Sequence, residues 1–275
     1  MLETMSLMKW PLAACLVLPW LMVYLGLHIV QRQVIFVDLA IAQVSALGAC
    51  LALLLGYDVH EWQSYVFSLG FTLAGGVLLA FTRSPNPRVP QEALIGIIYV
   101  MAAAAGILLL NFSPHGKEEL QRSLVGELLF VKPSELLQTL LLFAVVGFIH
   151  YRYRRQFLAI STDPAAAAAE GISVRFWDFL FYILFALVVM SFVHIAGVLV
   201  AFSFLIVPAV CSGYLAESFT ARFFVGWGIA TFGGIGSLLL TARFDDLPIG
   251  ATLVCGLGLC LLIVIIASAL MRLKR

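Results

Sequence analysis

The sequence predicts an all-α membrane protein, a polytopic bundle of about nine transmembrane helices. Of its 275 residues, 63% are hydrophobic and only 11% are charged. A helix that crosses a bilayer needs about 20 apolar residues, so about nine crossings use roughly 180 residues. A soluble domain has too little polar surface to cover so much apolar material. The composition therefore favours a multi-pass inner-membrane protein that is surrounded by lipid.

Separate apolar stretches support this number of crossings. They cover residues 10–29, 34–56, 63–82, 91–111, 134–150, 176–193, 196–214, 223–241 and 251–271. Charged residues and Pro/Gly clusters lie between them. Eight crossings is the alternative, because the division near His194 and the segment 123–135 are less sharply marked than the others.

The distribution of lysine and arginine predicts the orientation. With the N-terminus outside, eleven of the 16 basic residues fall on the inner side and five on the outer side. Basic residues in short loops prefer the cytoplasmic face. The sequence therefore predicts an outer N-terminus, an inner C-terminus and a long cytoplasmic loop at residues 150–178. The whole chain, residues 1–275, is predicted to form a single transmembrane domain.

The sequence lacks the common signatures of catalysis. It contains no G-x-x-x-x-G-K-[ST], because the step from Gly116 to Lys117 is followed by Glu118, so the chain has no P-loop for ATP. Neither H-E-x-x-H nor G-x-S-x-G occurs. A net charge of +1 gives no broad basic surface for nucleic acid. These observations favour a conduit without catalytic residues over an enzyme.

One segment of the cytoplasmic loop is built to form a short helix. Asp163 is a good N-cap, and Pro164 suits the first helical position. The run Ala165–Ala169 consists of the best helix former, and Gly171 is a natural terminator. Because so short a helix is unstable alone in water, we expect it to pack in a groove on another protein. An ordinary surface connector is the alternative interpretation.

The spacing of Asp163, Ala167 and Gly171 matches the D-x-x-x-A-x-x-x-G coupling helix of a known family. Further matching pieces are Leu94–Ile97, Gly126–Leu129, Gly197–Val200 with Leu205–Ala209, and Asp246–Gly250. From about residue 25 onward, the chain resembles the permease subunits of ATP-binding-cassette importers for zinc, manganese or iron. Any one of these motifs is weak, and their order and spacing carry the resemblance.

The resemblance implies a division of labour between subunits. Such a permease works as a homodimer, and an extracytoplasmic metal-binding protein delivers the divalent metal ion that it transports. Separate cytoplasmic ATP-binding subunits use the ATP, and the permease itself holds no permanent cofactor. By resemblance, the contact with these ATPase subunits involves Asp163, Pro164, Ala167, Ala168, Glu170 and Gly171.

The family's metal motif is incomplete in this chain. Members of the family often carry D-x-x-x-H in the second helix, whereas here Asp38 is followed at that offset by Ala42 and then by Gln43. Gln43 offers a neutral oxygen, about 140° around an ideal helix from Asp38. The candidate pathway residues are Asp38, Gln43 and His194. Near a helix end, Asp38 and His194 could instead face interfacial water.

Other donors are less specific. His28 lies near the inner end of the first helix, and the outer segments 58–61 and 115–119 contain His and acidic residues suited to a divalent ion. Because no ligand set is complete, the sequence does not fix which metal is carried. Two other functions stay open: an ion-gradient-driven transporter or channel, which would favour an inverted repeat, and a permease for a metal chelate.

Overall fold

The computed structural model describes residues 2–57, 61–82, 90–112, 126, 128, 131–244 and 247–273. Within these ranges the chain is helical and contains no strand. Its α-helices are α1 (Leu2–Arg32), α2 (Val37–Leu54), α3 (Trp62–Thr82), α4 (Gln91–Leu110), α5 (Pro133–Arg152), α6 (Arg154–Thr162), α7 (Pro164–Ala169), α8 (Val174–Ala196), α9 (Val198–Leu215), α10 (Phe219–Arg243) and α11 (Ile249–Leu273).

The predicted polytopic helix bundle is confirmed. In the described part of the chain, nine helices are long and apolar enough to cross a membrane, namely α1–α5 and α8–α11. The uncertain division near His194 lies at Gly197, the only residue between α8 and α9. Gly197 has a φ of +80°, a left-handed conformation that glycine adopts without strain. This break separates two spans where a continuous helix would have given one.

The chain divides into two compact units. The first comprises residues 1–30, 125–141 and 195–275, and the second comprises residues 31–124 and 142–194. In the first unit, α9 packs against both α10 and α11. In the second unit, α2 packs against both α3 and α4. The assignment of residues 1–275 to one domain stays a prediction.

Close backbone contact between helices holds the first unit together. A Cβ atom placed on Gly26 of α1 would overlap the carbonyl of Leu205 in α9 and lie 2.9 Å from its carbon. A Cβ on Gly226 of α10 would come within 3.1 Å of the Pro208 carbonyl oxygen, also in α9. Small residues permit such approach in lipid, where packing drives helix association. The close packing of α1 and of α10 against α9 thus depends on glycine.

We expect Gly26→Ala to destabilise the protein, because a backbone carbonyl cannot swing away as the tip of a side chain can. Overpacking of this kind costs about 1–3 kcal/mol. The melting temperature of the detergent-solubilised protein should fall. Gly228→Ala is the matched control, since a Cβ at Gly228 meets nothing within 4 Å. Equal melting temperatures for the two variants would contradict the close packing of α1 and α9.

The orientation of the termini stays a prediction and has a direct test. In a background with the five native cysteines replaced, a cysteine at exposed Arg155 should resist an impermeant thiol reagent in intact cells. A cysteine at exposed Glu61 should react. Labelling of position 155 from outside would reverse the predicted arrangement, which follows from the charge bias of the loops.

Candidate functional site

The predicted short helix exists as α7, and its caps are those that the sequence predicts. Asp163 Oδ1 accepts hydrogen bonds from the N–H groups of Ala165 and Ala166, both at 3.0 Å. Pro164 occupies the first turn. At the other end, Gly171 has a φ of +82°. The Gly171 N–H donates to the Ala168 carbonyl and the Ile172 N–H to the Ala167 carbonyl, both at 3.0 Å. These two bonds form a Schellman motif, which ends the helix.

The two faces of α7 differ in exposure. Ala167 is only 1% exposed and therefore lies against its own chain. The other four alanines are exposed: Ala165, Ala166, Ala168 and Ala169. Glu170 is also exposed and pairs with Arg155 at 3.5 Å. Of the residues assigned to the ATPase contact, Ala168 and Glu170 thus lie on the outer face, and Ala167 supports the helix from inside.

Asp38 lies in the first turn of α2 and is 1% exposed, so protein encloses its carboxylate. Its Oδ1 accepts the N–H of Leu39 at 2.8 Å, and its Oδ2 has no hydrogen-bond partner among the described residues. An enclosed carboxylate with an open oxygen is an arrangement that can attract a cation. Burial also removes Asp38 from interfacial water in this structure.

Glu92, in the first turn of α4, is an acidic neighbour of Asp38 that no sequence motif indicates. Its Oε1 accepts the N–H of Phe36 at 3.0 Å, just before α2 begins. Its Oε2 has no hydrogen-bond partner in the described ranges. Because Phe36 lies only two positions before Asp38, the hydrogen bond from the Phe36 N–H makes the two acidic side chains neighbours. The site therefore carries two carboxylates, which lie 54 positions apart in the sequence and meet only through packing of α2 against α4.

The other candidate ligands do not join this pair. Gln43 is buried on α2, five residues after Asp38. His194 is exposed in the last turn of α8, where its ring lies 6.3 Å from that of Tyr65. His194 follows Asp178 by 16 residues along α8, which is about 24 Å of helix. Asp178 itself contacts Arg32, which is close in sequence to Asp38. His194 thus lies near the opposite end of the second unit from Asp38.

The remaining sequence candidates are His28 and the two outer segments. His28 is buried in the first unit among aromatic rings, 4.8 Å from Tyr24 and 5.3 Å from Phe219. Residues 58–60 and 115–119 lie outside the described residues. Across the described ranges, no group of three or more His, Cys, Asp or Glu side chains could hold a metal ion.

Comparison with known families identifies the chain. The model of the ABC 3 transport family matches residues 4–268, almost the whole sequence. The chain belongs to the ABC 3 transport family. The resemblance drawn from the coupling-helix spacing and the later motifs is thereby confirmed, and an ABC 3 protein with these helices is a multi-pass protein of the bacterial plasma membrane.

The relatives of this ABC 3 chain include membrane proteins of transport systems that are named for different metals. The manganese transport system membrane protein MntC of Listeria innocua is 24% identical over 78% of this chain and 73% of its own. The high-affinity zinc uptake system membrane protein ZnuB of Haemophilus influenzae is 24% identical over 84% and 86%. A probable iron transport system membrane protein of the same organism is 24% identical over 82% and 89%.

A solved structure shares the fold. PsaBC from Streptococcus pneumoniae, in complex with Fab, superimposes with a TM-score of 0.80 and covers 99% of both chains at 20% identity. At this identity the match establishes the shared helical fold of the ABC 3 chain.

Proposed function

We propose that this chain is the membrane permease of an ATP-binding-cassette importer for a divalent metal ion: manganese, zinc or iron. The observation that carries the proposal is the family match over residues 4–268. The relatives named for manganese, zinc and iron support the substrate class, and their nearly equal identities favour none of the three metals.

The energy source is a separate subunit. The sequence contains no P-loop, and α7 presents an exposed face of small side chains between two firmly capped ends. Methyl groups allow the backbone of a short helix to approach a partner closely. We propose that cytoplasmic ATP-binding subunits dock on this face and that a second copy of the chain completes a homodimer. An extracytoplasmic metal-binding protein delivers the ion.

The metal is substrate and meets oxygen ligands on its way. Asp38 offers an enclosed carboxyl group with an open oxygen, and Gln43 offers a neutral oxygen farther along α2. Carboxylate and amide oxygens suit hard divalent ions such as manganese. His194, near the other end of the second unit, is a separate contact at the outer mouth. Successive weak contacts would let the ion pass without a closed cage.

Reconstitution tests the proposed function. The chain is placed in vesicles together with its ATPase and its metal-binding protein, and uptake of Mn²⁺, Zn²⁺ and Fe²⁺ is measured one metal at a time. We expect ATP-dependent uptake of at least one free ion. Uptake that needs an ion gradient and no ATPase would support a secondary transporter. Uptake of metal only with a chelator would support a chelate permease.

A further inference from the structure

In the second unit, a buried contact around Arg32, the last residue of α1, reaches both α6 and α8. The Arg32 Nη1 at the end of α1 lies 2.8 Å from the Asp178 Oδ1 in the first turns of α8, and the two side chains are 5% and 3% exposed. The Arg32 Nε donates a hydrogen bond of 2.9 Å to the Ser161 hydroxyl in α6. One guanidinium thus connects two membrane-spanning helices with the loop helix that precedes α7.

Aromatic rings close this contact against water. The guanidinium carbon of Arg32 lies 3.8 Å from the centroid of the Phe181 ring. Phe157 of α6 is completely buried, stacks on His150 at 4.1 Å and meets Trp177 edge-to-face at 5.4 Å. Charges in such a setting interact more strongly than at an exposed surface, and removing one partner leaves the other uncompensated. The surroundings therefore hold α6 firmly against α5 and α8.

The chain between this contact and α7 has no flexible linker. α6 ends at Thr162 and α7 begins at Pro164, so only Asp163 lies between them. The Asp163 N–H donates to the Ala159 carbonyl at 2.9 Å, while its side chain caps α7. The same residue therefore completes one helix and starts the next, and α6 also packs against α7. A displacement of α7 must carry Ser161 with it.

We infer that Arg32, Ser161 and Asp178 form a mechanical joint, here called the inner joint, that passes movement of α7 to α1 and α8. The inference rests on the proposed function, in which an ATPase moves α7. The three residues are positioning residues, because none is placed against ATP or metal. Arginine suits the role, since its planar fork holds the carboxylate and the hydroxyl together while its face stacks on Phe181.

Asp178→Asn tests the inner joint, because it keeps the size of the side chain and removes the charge that pairs with Arg32. Complexes are purified with their ATPase bound and reconstituted in vesicles. The readout is metal taken up per ATP hydrolysed, for whichever of Mn²⁺, Zn²⁺ and Fe²⁺ the wild-type complex transports. We expect ATPase binding to persist and the ratio to fall at least about tenfold. A merely structural role would lower the yield of complex and leave the ratio unchanged.

Three further variants sharpen the test. Arg175→Gln removes an exposed charge one turn before Asp178 on α8 and should keep the wild-type ratio. Asp178→Glu retains the charge and should recover part of the coupling. Ser161→Ala removes only the hydroxyl, should fold even where Asp178→Asn does not, and should lower the ratio about twofold to threefold.

The inner joint would be contradicted if Asp178→Asn or Ser161→Ala took up as much metal per ATP hydrolysed as the wild type. It would also be contradicted if Arg175→Gln lowered this ratio as much as Asp178→Asn does. Failure of the proposed function has a different signature. In that case the wild-type chain itself would bind no ATPase or transport no metal, and the inference of an inner joint would also be wrong.

Discussion

Ala168→Glu should weaken binding of the ATPase to this chain by at least about 30-fold. The methyl group of Ala168 lies on the exposed face of α7, and we propose that this face enters a groove on the ATPase. A carboxylate there would lose water without gaining a partner, and losing a central interface contact costs about 2 kcal/mol or more. Binding is measured with the chain in lipid nanodiscs and purified ATPase.

The fold should survive this substitution. Ala168 is exposed, so the change removes no contact within the chain, and glutamate is itself a good helix former. Ala167→Glu would act differently, since a charge at this buried position would disturb the loop itself. Ser173→Glu, an exposed position beyond α7, is the control for added charge and should bind the ATPase normally. Wild-type affinity in Ala168→Glu would mean that α7 is not the coupling helix.

The features that the sequence predicted well depend on neighbouring residues. Spans follow from the length of apolar stretches, because each must cover the thickness of a bilayer. The ends of α7 follow from Asp163, Pro164 and Gly171, whose side-chain and backbone preferences act over only a few residues. The break between α8 and α9 was less sharply predicted: the sequence placed it near His194, and it lies at Gly197, whose left-handed φ separates the two helices.

The features that the sequence did not predict depend on packing between distant segments of the chain. Arg32 and Asp178 are 146 positions apart, and in the sequence they read as a basic residue after one span and an acidic residue before another. Glu92 likewise meets Asp38 only because α4 packs against α2. The sequence could not choose the buried side of α7, because its five alanines are identical and only tertiary contacts distinguish Ala167.

Asp38→Asn should slow metal uptake at least about 100-fold while leaving assembly with the ATPase intact. Two unit charges 4 Å apart interact by about 4 kcal/mol at an effective dielectric constant of about 20, and a divalent ion doubles this attraction. Part of this attraction only offsets the hydration that the ion loses. The rest stabilises the ion in the pathway, so its loss should slow uptake. Uptake of Mn²⁺, Zn²⁺ and Fe²⁺ into vesicles, at matched protein levels, measures the effect.

Three further variants of acidic residues provide a graded comparison. Glu92→Gln removes the neighbouring charge, which lies beside Asp38 at the start of α2, and should reduce uptake less than Asp38→Asn does. Glu217→Gln removes a carboxylate from an exposed position between α9 and α10 and should transport normally. Asp38→Glu keeps the charge but shifts it by one methylene, so it should be only partly impaired.

The alternative role for Asp38 is that of a helix-end residue, and the asparagine variant separates the two. Asparagine retains a side-chain oxygen that can accept the Leu39 N–H, as Asp38 Oδ1 does at the start of α2. If this bond were the whole role of Asp38, uptake by Asp38→Asn would match that of the wild type. A pathway role instead requires the charge, because a neutral amide oxygen attracts a divalent ion much less strongly than a carboxylate does.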